Sequence, residues 1–360
     1  MKNLQKFYKN KKVLITGHTG FKGGWLSQIL LDWGATIIGI SLKPNTNPSL
    51  FKVLGLEKNV KNYFCDIRNF KKVLEIFKKE QPEIVFHLAA QPLVRESYSN
   101  PLYTFETNII GTTNVLQAMR EVETVRAAVM ITTDKVYENK ENGIPFKEDD
   151  KLGGYDPYSA SKAAAEIVID SYIKSFFSPR DFNKKHKTLI ASARSGNVIG
   201  GGDWQKDRLI PDIVRAILEK KEQLVIRNPE AIRPWQYVIE VLFGYLLLVE
   251  KLYKGKKEFS GAWNFGPTNK NCLTVKELLE KALEILGGGS YIISNREATH
   301  EAQLLLLDSS KAKKSLGWQS KLAIDRILRD TFIWYKKFYQ GEKMVDFTNQ
   351  QINSFFKICL

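Results

Sequence analysis

Short β-branched runs recur through the first half of the chain, each followed by a stretch whose apolar residues return every three or four positions. Lys12 to Thr16 (KVLIT), Thr36 to Leu42 (TIIGISL), Glu83 to Leu88 (EIVFHL), Ala127 to Thr132 (AAVMIT) and Thr188 to Ser192 (TLIAS) read as buried strands, and Asn62 to Cys65 as a shorter one. Between the first two, Trp25, Leu26, Ile29, Leu30 and Trp33 fall on one face of a helix. Strands that are apolar on both faces and alternate with helices predict an α/β fold, a doubly wound parallel sheet covered on both sides. Past Gly196 the alternation loosens into loops rich in Gly, Pro and Asp, with isolated helices such as Val275 to Leu286. The expected organisation is a sheet domain over residues 1–195, rejoined by a segment near 230–265. A smaller lobe over 196–345 and a tail at 346–360 complete it.

Composition narrows the class. With 360 residues, 43% apolar and 26% charged, the chain has the balance of a folded globular protein. Its longest apolar stretch, around Val241 to Val249, is broken by Gly and Tyr and falls far short of the roughly 18 to 20 residues a membrane span needs. The basic start, Met1 to Lys12, has no apolar run behind it, so no secretory leader is expected. Cys65, Cys272 and Cys359 are scattered, which fits reduced thiols in a cytoplasm and no metal site. The net charge of +15 is spread over short lysine runs, without a helix-turn-helix or zinc-finger signature. Neither nucleic acid nor membrane is therefore an expected partner, and anionic small molecules account for the charge.

One such anion has a visible seat. Immediately after the first strand, Gly17-His18-Thr19-Gly20-Phe21-Lys22-Gly23 leads into a helix. Glycines at 17, 20 and 23 suit a tight turn, a close approach of backbone to pyrophosphate and close packing of helix on strand. The helix N-terminus offers its free N–H groups to the phosphates, so dinucleotide binding is predicted. Asp66, followed by Ile67, has two readings: acceptor for an adenine amino group, or N-cap of a helix starting near Asn69. An acid expected at the end of the second strand for an adenine ribose is replaced by Ser41-Leu42-Lys43. Lys43 would tolerate a 2′-phosphate, so NAD is expected and NADP stays open.

The chemistry points to Tyr158 and Lys162, four residues apart at the start of a helical run and therefore one turn apart on one face. For Tyr158 to act as a base near neutrality its pKa has to drop by about 2 to 3 units from about 10. A lysine ammonium and a nicotinamide cation are the expected sources of that drop. Thr133, at the C-terminal end of the fourth long strand, supplies a hydroxyl where such sheets hold ligands, or else only caps the strand.

With these residues placed, the sequence resembles the extended short-chain dehydrogenase/reductases, with a Rossmann-like sheet, and within them the CDP-glucose 4,6-dehydratases. The stretches GHTGFKGGWL, PEIVFHLAAQPLVRESY, TTDKVYEN, GGYDPYSASKAAAE, SGNVIGGGDWQKDRLIPD, IRNPEAIRPWQYV and WNFGP carry the resemblance, over roughly residues 10–340. It implies a hydro-lyase acting on a nucleotide-activated hexose through an internal redox cycle. Tyr158 takes the C4 hydroxyl proton while hydride passes to NAD⁺. Lys135 removes the C5 proton, Asp134 protonates the departing C6 hydroxyl, and the hydride returns to C6. Lys135 needs a depressed pKa for that role, and the bland reading pairs it only with Asp134. The resemblance also implies that Leu88, Ala89, Ala90 and Gln91 line the cofactor and that Asn108 supports the site there. Arg95, Asn197, Arg208, Arg233 and His300 are implied to hold the nucleotide sugar, Arg233 and His300 having plain surface readings as well. His18 and His87 read as structural or near the cofactor. A homodimer and a place in deoxysugar synthesis for O-antigen or lipopolysaccharide are further implications. The alternatives are a sugar-nucleotide 4-epimerase, a dehydratase of another nucleotide sugar, and a regulatory dinucleotide sensor. Asp134-Lys135 argues against the epimerase, and the presence of Tyr158 and Lys162 against the sensor.

Overall fold

The computed structural model describes residues 2–220, 222–226, 228–294 and 304–359. Seven parallel strands form the central sheet: β1 (Lys12–Thr16), β2 (Thr36–Ser41), β3 (Lys61–Phe64), β4 (Ile84–His87), β5 (Ala127–Ile131), β6 (Leu189–Arg194) and β7 (Gly261–Asn264), in the order β7-β6-β5-β4-β1-β2-β3. All six pairings are parallel, with Thr16 opposite both Ile40 and His87. The chain therefore moves outward from β1 in one direction and then returns to build β4 on its other side. That reversal leaves a crevice beyond the strand ends, where ligands bind in open α/β sheets.

Alternate strand residues feed two cores. Val13, Ile15, Ile37, Phe86, Val129 and Ala191 enter the larger one, which also contains α1 (Phe21–Asp32) and α5 (Val238–Tyr253). Leu14, Ile38, Val85, Met130 and Ile190 point the other way, towards α2 (Phe70–Glu80), α3 (Gly111–Arg120) and α4 (Pro157–Ser175). Both faces are dry, which is why the strands show no polar stripe.

Helix α5 covers the stretch whose Gly and Tyr interrupt its apolar run. Gly244 has no room for a side chain, since a Cβ there would approach Phe265 to 2.5 Å, and the Tyr245 hydroxyl meets Ser195 Oγ at 2.6 Å. The two polar breaks are thus packing and hydrogen-bonding positions of a buried helix. Among the described residues, no helix is long and apolar enough to cross a membrane.

Beyond the sheet, short ladders pair 198–199 with 236–237, 232–234 with 272–274, and 224–226 with 291–293. Helix α6 (Val275–Leu286) begins with a capping box in which Thr274 and Glu277 satisfy each other's backbone N–H groups. The last residues are a packed element. Helices α7 (Ile324–Tyr339) and α8 (Met344–Cys359) form a hairpin, and α8 buries Ile352, Phe355 and Phe356 while Asn349 accepts from Gln28 of α1 at 2.9 Å. Of the expected tail, residues 346–359 are part of this helix, held by its apolar face.

Candidate active site

The crevice is a cavity of about 820 Å³ at the C-terminal ends of the strands. Its wall begins at the glycine turn. Gly17 has φ +74°, and a Cβ there would lie 2.7 Å from the Ala89 nitrogen, so only glycine fits between β1 and the end of β4. A Cβ on Gly23 would lie 2.2 Å from the Gly17 carbonyl oxygen, which is how tightly α1 sits on its own turn. Gly20 caps α1 with extended backbone and no side-chain hydrogen bond, leaving the first-turn N–H groups to the cavity. A backbone cradle with unused donors at a helix N-terminus fits a dinucleotide pyrophosphate.

The surrounding polar groups are tied into the scaffold. Thr16 Oγ1 accepts from the Leu88 and Ala89 nitrogens, each at 3.1 Å, and meets His87 Nδ1 at 2.8 Å. Burial pushes His87 down to about 3 and His18 to about 4, so both rings are neutral near pH 7. His18 Nε2 pairs with Asn62 Oδ1 at 2.9 Å. Thr19 Oγ1 meets Ser41 Oγ at 2.7 Å and donates to the Leu42 carbonyl at 3.0 Å, while Lys43 stands exposed beside them on the cavity wall.

Asp66 and Ile67 line the same wall. The N-cap of α2 is Asn69, whose side chain accepts from the Lys72 nitrogen, so the capping reading of Asp66 is corrected. The Asp66 carboxylate instead accepts from the Arg68 backbone at 2.9 Å and from its guanidinium at 2.8 Å. Burial raises the Asp66 carboxyl, but these hydrogen bonds and the Arg68 charge outweigh it and hold it below its usual range.

At the opposite side, Thr133, Asp134, Lys135, Tyr158 and Lys162 meet. Helix α4 brings the last two; Pro157 occupies its first turn, and Asp156 caps it by accepting from the Ser159 nitrogen. Thr133 Oγ1 donates to Asp134 Oδ1 at 2.9 Å and shares a hydrogen bond with Tyr158. Lys162 Nζ donates to the Ile131 carbonyl at 3.0 Å. Burial lowers Lys162 to about 8, against the charge of Glu166 one turn further on.

The expected drop in Tyr158 is not what the protein groups produce. Burial, joined by Asp134 and Asp156, outweighs the Thr133 hydrogen bond and the Arg208 charge and lifts it to about 12. A phenolate in this wall loses more hydration than those two groups return.

Further groups complete the site: Lys22, expected from the phosphate turn, and Gly196, Glu166 and Arg194, which sequence reasoning did not single out. A Cβ on Gly196 would fall 1.8 Å from Asp134 Oδ2, so that glycine makes room for the carboxylate. Lys22 reaches past the phosphate turn and donates to Ser195 Oγ at 3.5 Å, with burial and the charges of Arg208 and Lys162 lowering it to about 8. Behind α4, Glu166 accepts from Ser192 at 2.8 Å, from Arg194 at 2.9 Å and from Thr132. Gly196 and Arg194 show no spacing signal, because contact through space with Asp134 and Glu166 places them here, whereas Glu166 stands one turn beyond Lys162 on α4.

Of the residues expected to touch ligands, Thr19, Phe21, Leu88, Ala90, Gln91, Arg95, Asn197, Arg208 and Arg233 also line the cavity. Arg95 pairs with Asp207 at 2.8 Å and Arg208 with Asp203 at 2.8 Å. Asn108 stands behind the wall, accepting from the Gln91 nitrogen at 2.8 Å and donating to Ser161 Oγ at 2.8 Å. It positions Gln91 and α4 rather than lining the cavity. His300 lies outside the described residues.

Comparison with known proteins agrees with this geometry. The CDP-glucose 4,6-dehydratase of Salmonella typhimurium is 43% identical over 98% of this chain and 98% of its own. The UDP-glucuronate 4-epimerase of Thermodesulfobacterium geofontis is 27% identical over 90% of this chain and 96% of its own. Among solved structures, the UDP-glucose 4-epimerase of Thermus thermophilus in complex with NAD superposes with a TM-score of 0.77 at 24% identity, covering 90% of this chain and 99% of that one. The dTDP-glucose 4,6-dehydratase of Bacillus anthracis, also in complex with NAD, gives 0.74 at 22% identity over 93% and 99%. These likenesses establish the Rossmann fold. The family model described as GDP-mannose 4,6 dehydratase matches residues 14–331, and with that span the chain belongs to the GDP-mannose 4,6-dehydratase family.

Proposed function

We propose that the protein is a lyase that converts CDP-glucose into CDP-4-keto-6-deoxyglucose and water, with NAD as its cofactor. The observation that carries this reading is the run Thr133-Asp134-Lys135 standing in one cavity with Tyr158 and Lys162, in a chain 43% identical to a CDP-glucose 4,6-dehydratase. A 4-epimerase needs the tyrosine and lysine but has no use for a dehydrating acid and base.

In this reading Gly17, Gly20 and the first turn of α1 hold the pyrophosphate, Asp66 and Ile67 face the adenine end, and Leu88 to Gln91 line the middle. The bound dinucleotide supplies a hydride acceptor for C4 and a donor for C6. Tyr158 takes the C4 hydroxyl proton, with Thr133 bonded to the same oxygen. Once C4 is a ketone, the C5 proton is acidified and Lys135 removes it. Asp134, aimed by Thr133, protonates the leaving C6 hydroxyl. Arg208, Arg95, Asn197 and Arg233 bind the nucleotide diphosphate and sugar. Residues 196–345 serve mainly as the substrate lobe, and the enzyme works in the cytoplasm with its thiols reduced.

A homodimer is part of this reading. Leu102, Ile110 and Ile167 are 71%, 51% and 61% exposed on helical segments that pack beside one another, an apolar face suited to a second copy.

Incubation of the purified protein with CDP-glucose and NAD⁺ tests the function. Loss of one water by mass and appearance of the alkaline absorbance of a 4-keto product, without net NADH, are expected. Water loss from dTDP- or GDP-sugars alone would move the nucleotide assignment. Cofactor binding with no water loss from any nucleotide sugar would overturn the dehydratase reading.

A further inference from the structure

Arg208 is a large cation fixed in the cavity wall by Asp203, whose own anchor comes from the far end of the chain. Its side chain is 34% exposed, and its Nη1 donates to Asp203 Oδ2 at 2.8 Å. The other Asp203 oxygen accepts from the Gln205 nitrogen at 3.0 Å, so the carboxylate is held at both oxygens. The backbone of Asp203 is held in turn by one hydroxyl. Tyr335 of α7 accepts from the Asp203 nitrogen at 2.8 Å and donates to the Asp203 carbonyl at 2.6 Å.

That hydroxyl sits in a rigid setting. Tyr335 is fully buried, and Trp204 packs edge-on against Trp334, Tyr335 and Phe338 with ring centroids 5.7, 5.7 and 5.0 Å apart. A Cβ on Gly201 would lie 2.1 Å from Trp334, and Trp25 Nε1 donates to the Gly201 carbonyl at 2.9 Å. Helix α8 braces the arrangement where Trp334 Nε1 donates to Thr348 Oγ1 at 2.9 Å.

We infer that Tyr335 is a positioning residue for the reaction: through Asp203 it holds Arg208 where the guanidinium faces both the Tyr158 hydroxyl and the substrate diphosphate. This rests on the reading of the cavity given under Proposed function. An unclamped arginine has several rotors to order on binding, whereas one already paired is pre-organised. A displacement of the loop by about an ångström at a reacting centre costs on the order of a hundredfold in rate. The C-terminal hairpin, remote in sequence from every motif of the site, thereby acts on its chemistry. Arg208 is also one of the two groups that pull Tyr158 down, so the clamp should register in the pH profile.

Tyr335→Phe keeps the ring and its packing and removes both hydrogen bonds; Asp203→Asn keeps the backbone bonds and weakens the hold on Arg208. Both are expected to raise KM for CDP-glucose about tenfold, the size of effect that loss of one charge-assisted hydrogen bond produces. Tyr335→Phe, which keeps every charge, should also move the limb on which activity rises with pH upward, by roughly half a unit, because a displaced cation no longer favours the phenolate. NADH affinity should stay as in the parent. If Tyr335→Phe lowers only the thermal midpoint and leaves KM and the pH limb unchanged, the role is structural and the inference fails. CDP affinity by calorimetry reads the same clamp without turnover. A parent that binds CDP but does not dehydrate CDP-glucose overturns the functional reading alone, and Tyr335→Phe must then weaken CDP about tenfold for the clamp to stand.

Discussion

Single side chains here are poised by competition between burial and neighbours. Tyr158 is lifted to about 12, chiefly by burial, even with Thr133 and Arg208 pulling down. Tyr158→Phe is expected to cut turnover by about a thousandfold, in the range for loss of a general base, while NADH titration shows unchanged affinity. Lys162 has its folded pKa depressed from 10.5 to about 8. Below about 8 it is protonated in both states and carries a constant desolvation cost. Between about 8 and 10.5 the unfolded chain binds the extra proton, so this group makes stability rise with pH. Denaturant titrations across that window should show the parent gaining on Lys162→Met by about 3 kcal/mol; a flat difference would refute the shift. Gly196→Ala places a methyl against Asp134 and should abolish most dehydration with cofactor binding intact, read as kcat beside an NADH titration.

At the scale of elements, α4 is the part on which the chemistry hangs. Tyr158, Lys162 and Glu166 recur every fourth residue, so one face of one helix carries the proposed base, its lysine and a buried acid whose charge acts on that lysine. Glu166 and Arg194 are 3% and 4% exposed, and their pair also receives Thr132 and Ser192. Burial raises Glu166, but Arg194 and the hydroxyls outweigh it and hold the carboxyl below its usual range. Its contribution is present above the ordinary carboxyl pKa and is lost as pH falls through the depressed value. Glu166→Ala leaves Arg194 buried without its partner and should cost about 3–5 kcal/mol, whereas replacing both by Leu and Met should cost far less. Chemical denaturation of the two variants separates these outcomes. At the other wall, the turn between β1 and α1 tolerates no side chain at Gly17, where φ is +74° and a Cβ would meet the Ala89 backbone.

The whole molecule adds what no single element holds. The cavity lies between β4 and β5 on one side and the loops after β6 on the other, with the ion pair Arg95–Asp207 joining them. On the outer face, Leu102, Ile110 and Ile167 form the apolar surface assigned above to a second copy. Ile110→Glu combined with Ile167→Glu should convert a dimer into a monomer in sedimentation velocity, because two charges would have to be buried at a self-complementary face. An unchanged sedimentation coefficient would place the interface elsewhere or remove it.

Strand and helix periodicity, the glycine turn and the Tyr158–Lys162 spacing were legible in the chain because each is a local pattern, set by residues within a turn or two of one another. β1 and α6 occupy the residues read for them, and the other long strands differ by one or two at their ends. Strand β7 was not recognised individually: Gly261 to Asn264 contains no β-branched residue, and it is pairing with β6 that makes it a strand. The tail that becomes α8 escaped for a related reason, its apolar face having meaning only against α1 and α7. Asp66 shows the limit at a single residue. A helix start near Asn69 was evident, but which of two polar side chains caps it depends on Arg68, whose guanidinium draws the carboxylate away. The groups that tune the site, Glu166 with Arg194, Gly196 beside Asp134, and Tyr335 behind Asp203, are separated by 28, 62 and 132 residues. Their contacts arise from folding alone, because burial and hydrogen bonding act through space, and the chain records spacing only along its length.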